Sequence, residues 1–392
     1  MISPVTTSIG RDGRWTADPG YGVYVHIPFC RHRCHYCDFN TYEAQDDLHD
    51  AYMHALIRDI ERSQPRGGPA TSIFFGGGTP TLMEPKLLGA TLDAIRCSIG
   101  IDPHAEVTIE ANPETVDERR FEALLAAGFD RVSIGIQSLV PHVLKGLGRT
   151  HDAATGLAAI RAARNAGFGD VNADLIYGSP WESPADWRAS LEGLIEQEPD
   201  HISAYALTVE EGTPLGTLVK TGRVADVDPD VQADRHGLAS ALLEAAGYER
   251  YEISNWSRPG RASRHNVLYW SGGDYAGFGA GAHGHLSGRR SWTIRLPRNF
   301  IEAVEEGRSV EAGHEVLDPA ARGAEALMLG LRLRSGVEMN RFAATFGPEI
   351  LDSRRREIED LEALGLVRTV DGWLRLDDSA TMICNEVLSR LL

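Results

Sequence analysis

No run in these 392 residues approaches the ~20 uninterrupted apolar residues of a membrane-spanning helix, so no such span is expected. The start, Met1 to Gly20, lacks the apolar core of a signal peptide and carries charged, Pro and Gly positions. The expected compartment is therefore cytoplasmic. Positive charge is scarce: 39 Lys and Arg stand against 56 Asp and Glu, a formal charge of -17. A general nucleic-acid binder needs a positive stripe to meet phosphates, so no nucleic acid is expected as a partner. Cysteine is sparse too. Five in a chain of this size do not make a disulfide framework. Repeats and low-complexity tracts are missing. What remains, 42% hydrophobic and 24% charged residues, is globular in character. The length implies one large domain and one smaller.

From Tyr21 to about Gly247 a β/α alternation recurs. The strand-like runs are Val23–Ile27, Ser72–Phe75, Glu106–Glu110, Arg131–Ile136, Val171–Ile176 and Ile202–Leu207. They are apolar or half-apolar, as parallel strands covered by helices should be. Helical stripes lie between them, such as Leu87, Leu88, Thr91, Leu92 and Ile95. Gly128, Gly167, Gly247 and Gly365 each follow a stripe and precede an apolar residue, the pattern of a left-handed helix cap. Such units build either an incomplete parallel barrel or a doubly wound sheet, and periodicity does not choose. After Gly247 the alternation breaks. Ser271 to Leu286 holds six glycines and reads as a long loop or tight backbone passage. Helix Ser353–Leu364, strand Leu366–Thr369, turn Asp371-Gly372, strand Trp373–Leu376 and helix Met382–Leu391 resemble a winged helix. Its mixed charge favours a packing module over a DNA reader.

The chemistry concentrates in Tyr24–Cys37. Cys30, Cys34 and Cys37 form C-x3-C-x2-C directly after the first strand. A structural zinc site wants four ligands, and His26, His32 and His35 are near enough in sequence to keep zinc open. Three thiolates from one loop instead suit a [4Fe–4S] cluster with one iron lacking a protein ligand. The two remaining cysteines, Cys97 and Cys384, read as small buried side chains in helices. Gly76-Gly77-Gly78-Thr79-Pro80 follows the second strand, where glycines let backbone groups approach a ligand. Glu110 and Gln137 end the third and fourth strands, and Asp174 lies in the fifth. Polar groups at the carboxyl ends of parallel strands converge on one mouth.

These motifs together resemble the radical S-adenosylmethionine (SAM) proteins. The resemblance implies a partial (βα)6 TIM-type barrel and a SAM that chelates the open iron through its amino and carboxylate groups. Electron transfer from the cluster then cleaves the sulfonium to methionine and a 5′-deoxyadenosyl radical. The likeness extends along nearly the whole chain to the oxygen-independent coproporphyrinogen III oxidase group. It runs through Tyr24–Cys37, Gly76–Thr81, Glu110–Pro113, Ser133–Ser138, Gly148–His151, Asp174–Pro180 and Ile202–Pro214. By that resemblance Tyr24, Gly77 and Glu110 contact the cluster-bound SAM. Tyr36, Gly78, Thr79, Gln137, Arg149 and Asp174 match positions lining a second SAM site in the true oxidases.

Two departures stand out. The oxidases resemble C-x3-C-x2-C-x-C, and here the last position is Phe39. They also carry a longer segment before the first strand than the twenty or so residues found here. Both features are similar to the haem chaperones of the group, which lack oxidase activity. Those relatives carry H-N-x-x-Y-W, matched by His265-Asn-Val-Leu-Tyr269-Trp270. On the residues alone this is a core or loop segment whose His265 merely hydrogen-bonds. The resemblance makes His265 a haem ligand, with His283 and His285 behind it. The expected layout is an N-terminal extension over 1–20 and a barrel over 21–250. A linking segment with the HNxxYW motif and Gly-rich stretch covers 251–324, and a winged-helix-like α+β domain covers 325–392. The expected function is binding haem and passing it to haem proteins, with decarboxylation of coproporphyrinogen as the enzymatic alternative. Expected partners are haem and acceptor haem proteins, including respiratory ones reached by peripheral membrane contact, and a second copy in a homodimer.

Overall fold

A computed structural model describes residues 11–63 and 67–392. The first ten residues of the N-terminal extension lie outside them. Six parallel strands follow one another in order: β1 (Tyr21–Ile27), β2 (Ala70–Gly77), β3 (Ile101–Ala111), β4 (Arg131–Gln137), β5 (Asp170–Tyr177) and β6 (His201–Ala206). A helix follows each strand: His49–Arg62, Pro85–Ser98, Glu118–Ala127, Ala153–Ala166, Pro184–Ile195 and, after β6, Pro229–Ala245. This is the partial (βα)6 barrel. Its sheet does not close, because the two outermost strands, Glu311–Val316 and Glu249–Arg250, remain as separate edges.

The strands alternate with period two. Val23, Val25, Ile73, Phe75, Val132, Ile134, Val171, Ala173, Ile202 and Ala204 are buried in the large apolar core. The intervening positions carry Tyr24, Glu110, Ser133, Asn172, Asp174 and Ser203. A parallel strand buried on two dry faces would be apolar throughout, so the alternation marks a polar barrel interior. The glycine caps are as expected. Gly128 (φ 109°) and Gly167 (φ 108°) end their helices in the left-handed region, and Gly247 and Gly365 share that conformation.

Residues 251–324 do more than link. β8 (Asn255–Ser257) adds antiparallel to β6, with the short β7 (Glu249–Arg250) beyond it. At the other side β9 (Asp274–Phe278) pairs parallel to β1, followed by antiparallel β10 (His283–Leu286), β11 (Arg289–Thr293) and β12 (Glu311–Val316). The glycine-rich stretch expected as a loop therefore contains β9 and β10. Its glycines permit the close turn between them: a Cβ on Gly277 would lie 2.0 Å from the His283 carbonyl oxygen. Cys97 also departs from expectation. It is exposed, because the helix buries Leu88, Leu92 and Ile95, and residue 97 falls roughly 200° around from Ile95. Cys384 is buried as expected.

The C-terminal region has its own core around Leu327, Phe342, Leu361, Leu374 and Val387, which Trp15 joins from the N-terminal segment. A small antiparallel sheet, β13 (Val337–Glu338), β15 (Trp373–Leu376) and β14 (Val367–Val370), packs with helices Met339–Phe346 and Arg355–Ala363. Among the described residues no helix is long and apolar enough to cross a membrane.

Candidate functional site

The loop after β1 is tied down by backbone bonds. Cys30 N–H donates to the Tyr42 carbonyl (3.0 Å), Tyr42 N–H to Pro28 (2.7 Å) and His35 N–H to Leu147 (3.0 Å). Asn40 Nδ2 anchors it to the carbonyls of Ala280 and Arg295, both at 3.0 Å. The loop thus presents Cys30, Cys34 and Cys37, all free and half-buried, to one cavity of about 460 Å³ at the carboxyl end of the barrel. Thr79 Oγ1 lies 3.6 Å from Cys30 Sγ and Arg149 Nη1 3.4 Å from Cys34 Sγ. Burial pushes the Cys30 thiol up to about 11, against the Thr79 contact. A bound metal would supply the positive charge its thiolate needs.

The three nearby histidines are occupied elsewhere. His26 bonds Tyr24 Oη (2.8 Å) and the Asn40 carbonyl (3.0 Å), and His35 Nδ1 meets the Gly146 carbonyl at 3.0 Å. His32 faces Glu43 at 3.4 Å. Among the described residues no three His, Cys, Asp or Glu side chains close on one point as a single-ion site requires.

Below the thiols, the strand ends form a polar ring. Glu110 Oε2 accepts from Gly77 N–H at 3.0 Å. Enclosure, and then Asp174, push the Glu110 carboxyl up to about 8, with the Gly77 bond acting the other way. Gly77 has φ 114°, and a Cβ there would lie 2.5 Å from the His26 ring. A Cβ on Gly78 would lie 2.4 Å from the Phe29 carbonyl oxygen. The turn can therefore pack against β1 and its loop only because side chains are missing. Gln137 sits at φ 65° beside a register shift between β4 and β5, and its buried Oε1 has no partner among the described residues. A strained residue with an unpaired acceptor at a cavity is a ligand-facing arrangement. Arg149 Nη2 donates to Asn112 Oδ1 (2.6 Å) and the Gly135 carbonyl (2.9 Å). Asp174 accepts from Ser133 Oγ and Asn172 Nδ2, each at 2.8 Å.

Cys30, Cys34, Cys37, Tyr36, Gly77, Gly78, Glu110, Gln137, Arg149 and Asp174 all line this one cavity. Tyr24 and Thr79 stand just behind, on His26 and Cys30. The floor adds residues that the sequence reading missed: Arg131, Asn172, His201, Ser203, Tyr205 and Asn266. For all but Asn266, which lies in helix Arg264–Trp270, their signal was the polar phase of each alternating strand.

His265 is placed differently. Helix Arg264–Trp270 closes the amino end of the barrel, its first N–H groups donating to Glu106 at 3.1–3.3 Å. His265 is 1% exposed, with Nδ1 3.0 Å from Ser72 Oγ and Nε2 2.9 Å from Tyr269 Oη. Phe74 stacks on its ring at 5.3 Å. Both nitrogens are engaged, so the expected iron ligand is held as a packed core histidine. His283 is exposed on β10, and His285 is half-buried on the same strand.

Residues 24–194 match the family model of the radical SAM superfamily, and 317–383 that of the HemN C-terminal domain. The protein named heme chaperone HemW from Mycobacterium tuberculosis is 39% identical over 95% of both chains. The HemW of Escherichia coli is 33% identical over 95% of this chain and 98% of its own. Among solved structures, the coproporphyrinogen III oxidase HemN of Escherichia coli superposes with a TM-score of 0.82, at 21% identity over 98% of this chain and 92% of its own. The chain belongs to the radical SAM superfamily, in the HemW family of proteins related to oxygen-independent coproporphyrinogen III oxidase.

Proposed function

We propose that this protein is a haem chaperone that binds haem and passes it to haem proteins, with a [4Fe–4S] cluster and SAM at the carboxyl rim. The observation that carries this reading is the 39% identity, along 95% of both chains, to a protein named as such a chaperone. Phe39, 64% exposed at the cavity, stands where the oxidases resemble one another in a further cysteine. Membership of the radical SAM superfamily supports the cluster and SAM. When bound, the cluster supplies one electron and an iron on which SAM can chelate.

The chain's own residues do the holding. Cys30, Cys34 and Cys37 offer three thiolates from one loop. The backbone of Gly77 and Gly78 admits the ligand, and the Glu110 carboxyl is placed for an ammonium group. Arg149 sets a positive charge against Cys34 Sγ. Acceptors in the respiratory chain, reached by peripheral membrane contact, and a homodimer complete the proposal. The test is a haem titration of anaerobically reconstituted protein beside an oxidase assay. A saturable Soret band, transfer of that haem to an apo-haem protein and no protoporphyrinogen from coproporphyrinogen III are expected. Efficient SAM-dependent decarboxylation would overturn the reading in favour of an oxidase.

A further inference from the structure

A second cavity, of about 200 Å³, lies between the sheet and helix Pro319–Gly330. Tyr275, His285 and Arg290 are cross-strand neighbours on β9, β10 and β11 and line it together. The His285 side chain is 15% exposed. Its Nδ1 lies 3.3 Å from the Gly273 carbonyl and 3.5 Å from the Asp274 carboxylate. A carbonyl oxygen only accepts, so Nδ1 carries the proton and Nε2 keeps its lone pair. Among the described residues Nε2 has no hydrogen-bond partner. A metal-ligating histidine is arranged this way, with its second nitrogen fixed by a carbonyl or carboxylate.

We propose that the cargo haem seats in this cavity with His285 Nε2 as its axial ligand. The assignment rests on the haem-carrier reading above. Nε2 donates its lone pair to the iron and no proton has to leave. Tyr269, Tyr275 and Phe346 line the cavity with aromatic side chains against which the porphyrin packs, the Tyr269 and Tyr275 rings meeting edge to face at 4.6 Å. Arg322 lies 5.8 Å over the Phe346 ring, and its buried Nε has no hydrogen-bond partner in the described residues. It is the cation for a propionate. The HNxxYW segment then contributes through its tyrosine: His265 Nε2 holds Tyr269 Oη, and Tyr269 forms a wall. Cavities that enclose ligands of moderate size hold roughly 300–1,000 Å³. This smaller one takes part of the porphyrin and leaves the rest exposed, as a transferable cargo requires.

The test is haemin titration of the full chain and of His285→Gln, His265→Ala, His283→Ala and Arg322→Gln, each checked for folding by circular dichroism. His285→Gln should shift the Soret band and weaken binding roughly tenfold or more, and added imidazole should restore the native band. Arg322→Gln should weaken binding with the band unmoved. A native band and affinity in folded His285→Gln would overturn the assignment while haem carriage stands. A shift confined to His265→Ala or His283→Ala would do the same. Absence of haem binding by the unmodified chain would overturn this site and the carrier reading together.

Discussion

At the carboxyl rim of the barrel, Gln137 keeps a buried acceptor unpaired among the described residues, the Glu110 carboxyl is held near 8 and three thiols line one cavity. At the amino end, Glu106 accepts from Ser263 Oγ (3.2 Å) and the first N–H groups of helix Arg264–Trp270, and Arg11 adds an ion pair at 3.4 Å. Asp170 lies between Arg11 and Arg131, and His265 has a partner on each nitrogen. Both ends carry buried polar groups. Among the described residues Arg131 Nε and Asp170 Oδ1 at the amino end also lack a hydrogen-bond partner, but they face each other as an ion pair at 3.5 Å. Gln137 Oε1 at the rim has neither, and such a buried group costs stability unless a ligand completes it. The contrast teaches that polarity alone does not mark a binding residue. The missing partner does.

The strongest way to break this comparison is to remove a thiol. Cys30→Ala, Cys34→Ala or Cys37→Ala should each abolish iron loading, while Cys97→Ala and His265→Ala should leave it intact. Iron analysis after anaerobic reconstitution reads the difference, and retained iron in a rim variant would remove the distinction between the ends. A smaller effect is expected at the amino end. His265→Ala strands Ser72 and Tyr269 in the interior and should cost about 1–3 kcal/mol, seen as a lower urea midpoint at unchanged slope. Unchanged stability would mean that the amino end is not the satisfied one.

The smallest effect is a pH slope. The Glu110 carboxyl is raised to about 8 in the folded chain, against about 4.3 when unfolded. The folded state therefore binds the proton more tightly, and its contribution is full below the unfolded value and lost as pH rises through 8. Glu110→Gln should flatten the fall in apoprotein stability between about pH 5 and 8. An identical slope in the variant would show that Glu110 is not held protonated by its enclosure.

Much of the rim was legible because its signals are local. C-x3-C-x2-C lies in one loop, the glycine run follows one strand, and Glu110, Gln137 and Asp174 fall in the carboxyl-terminal halves of successive strands. Parallel pairing in sequential order brings such positions to one mouth. The strands β9 and β10 were hidden, since six glycines dilute any period-two pattern and the parallel partner of β9, β1, lies some 250 residues earlier. The floor residues were hidden in plain alternation, because a polar residue in a strand has no sign saying what it faces.

The three histidines mark the boundary most clearly. By itself the sequence determined that His265 begins a short HNxxYW motif and that His283 and His285 lie two residues apart in a glycine-rich stretch. Only the tertiary structure decided their hydrogen-bond partners. Ser72, far away in the chain, reaches one nitrogen of His265 and Tyr269 the other, while Gly273 and Asp274 hold one nitrogen of His285 and its Nε2 has no hydrogen-bond partner among the described residues. Hydrogen bonding is short-ranged in space but indifferent to separation along the chain. Whether a side chain is free for a ligand therefore depends on neighbours that only folding brings near.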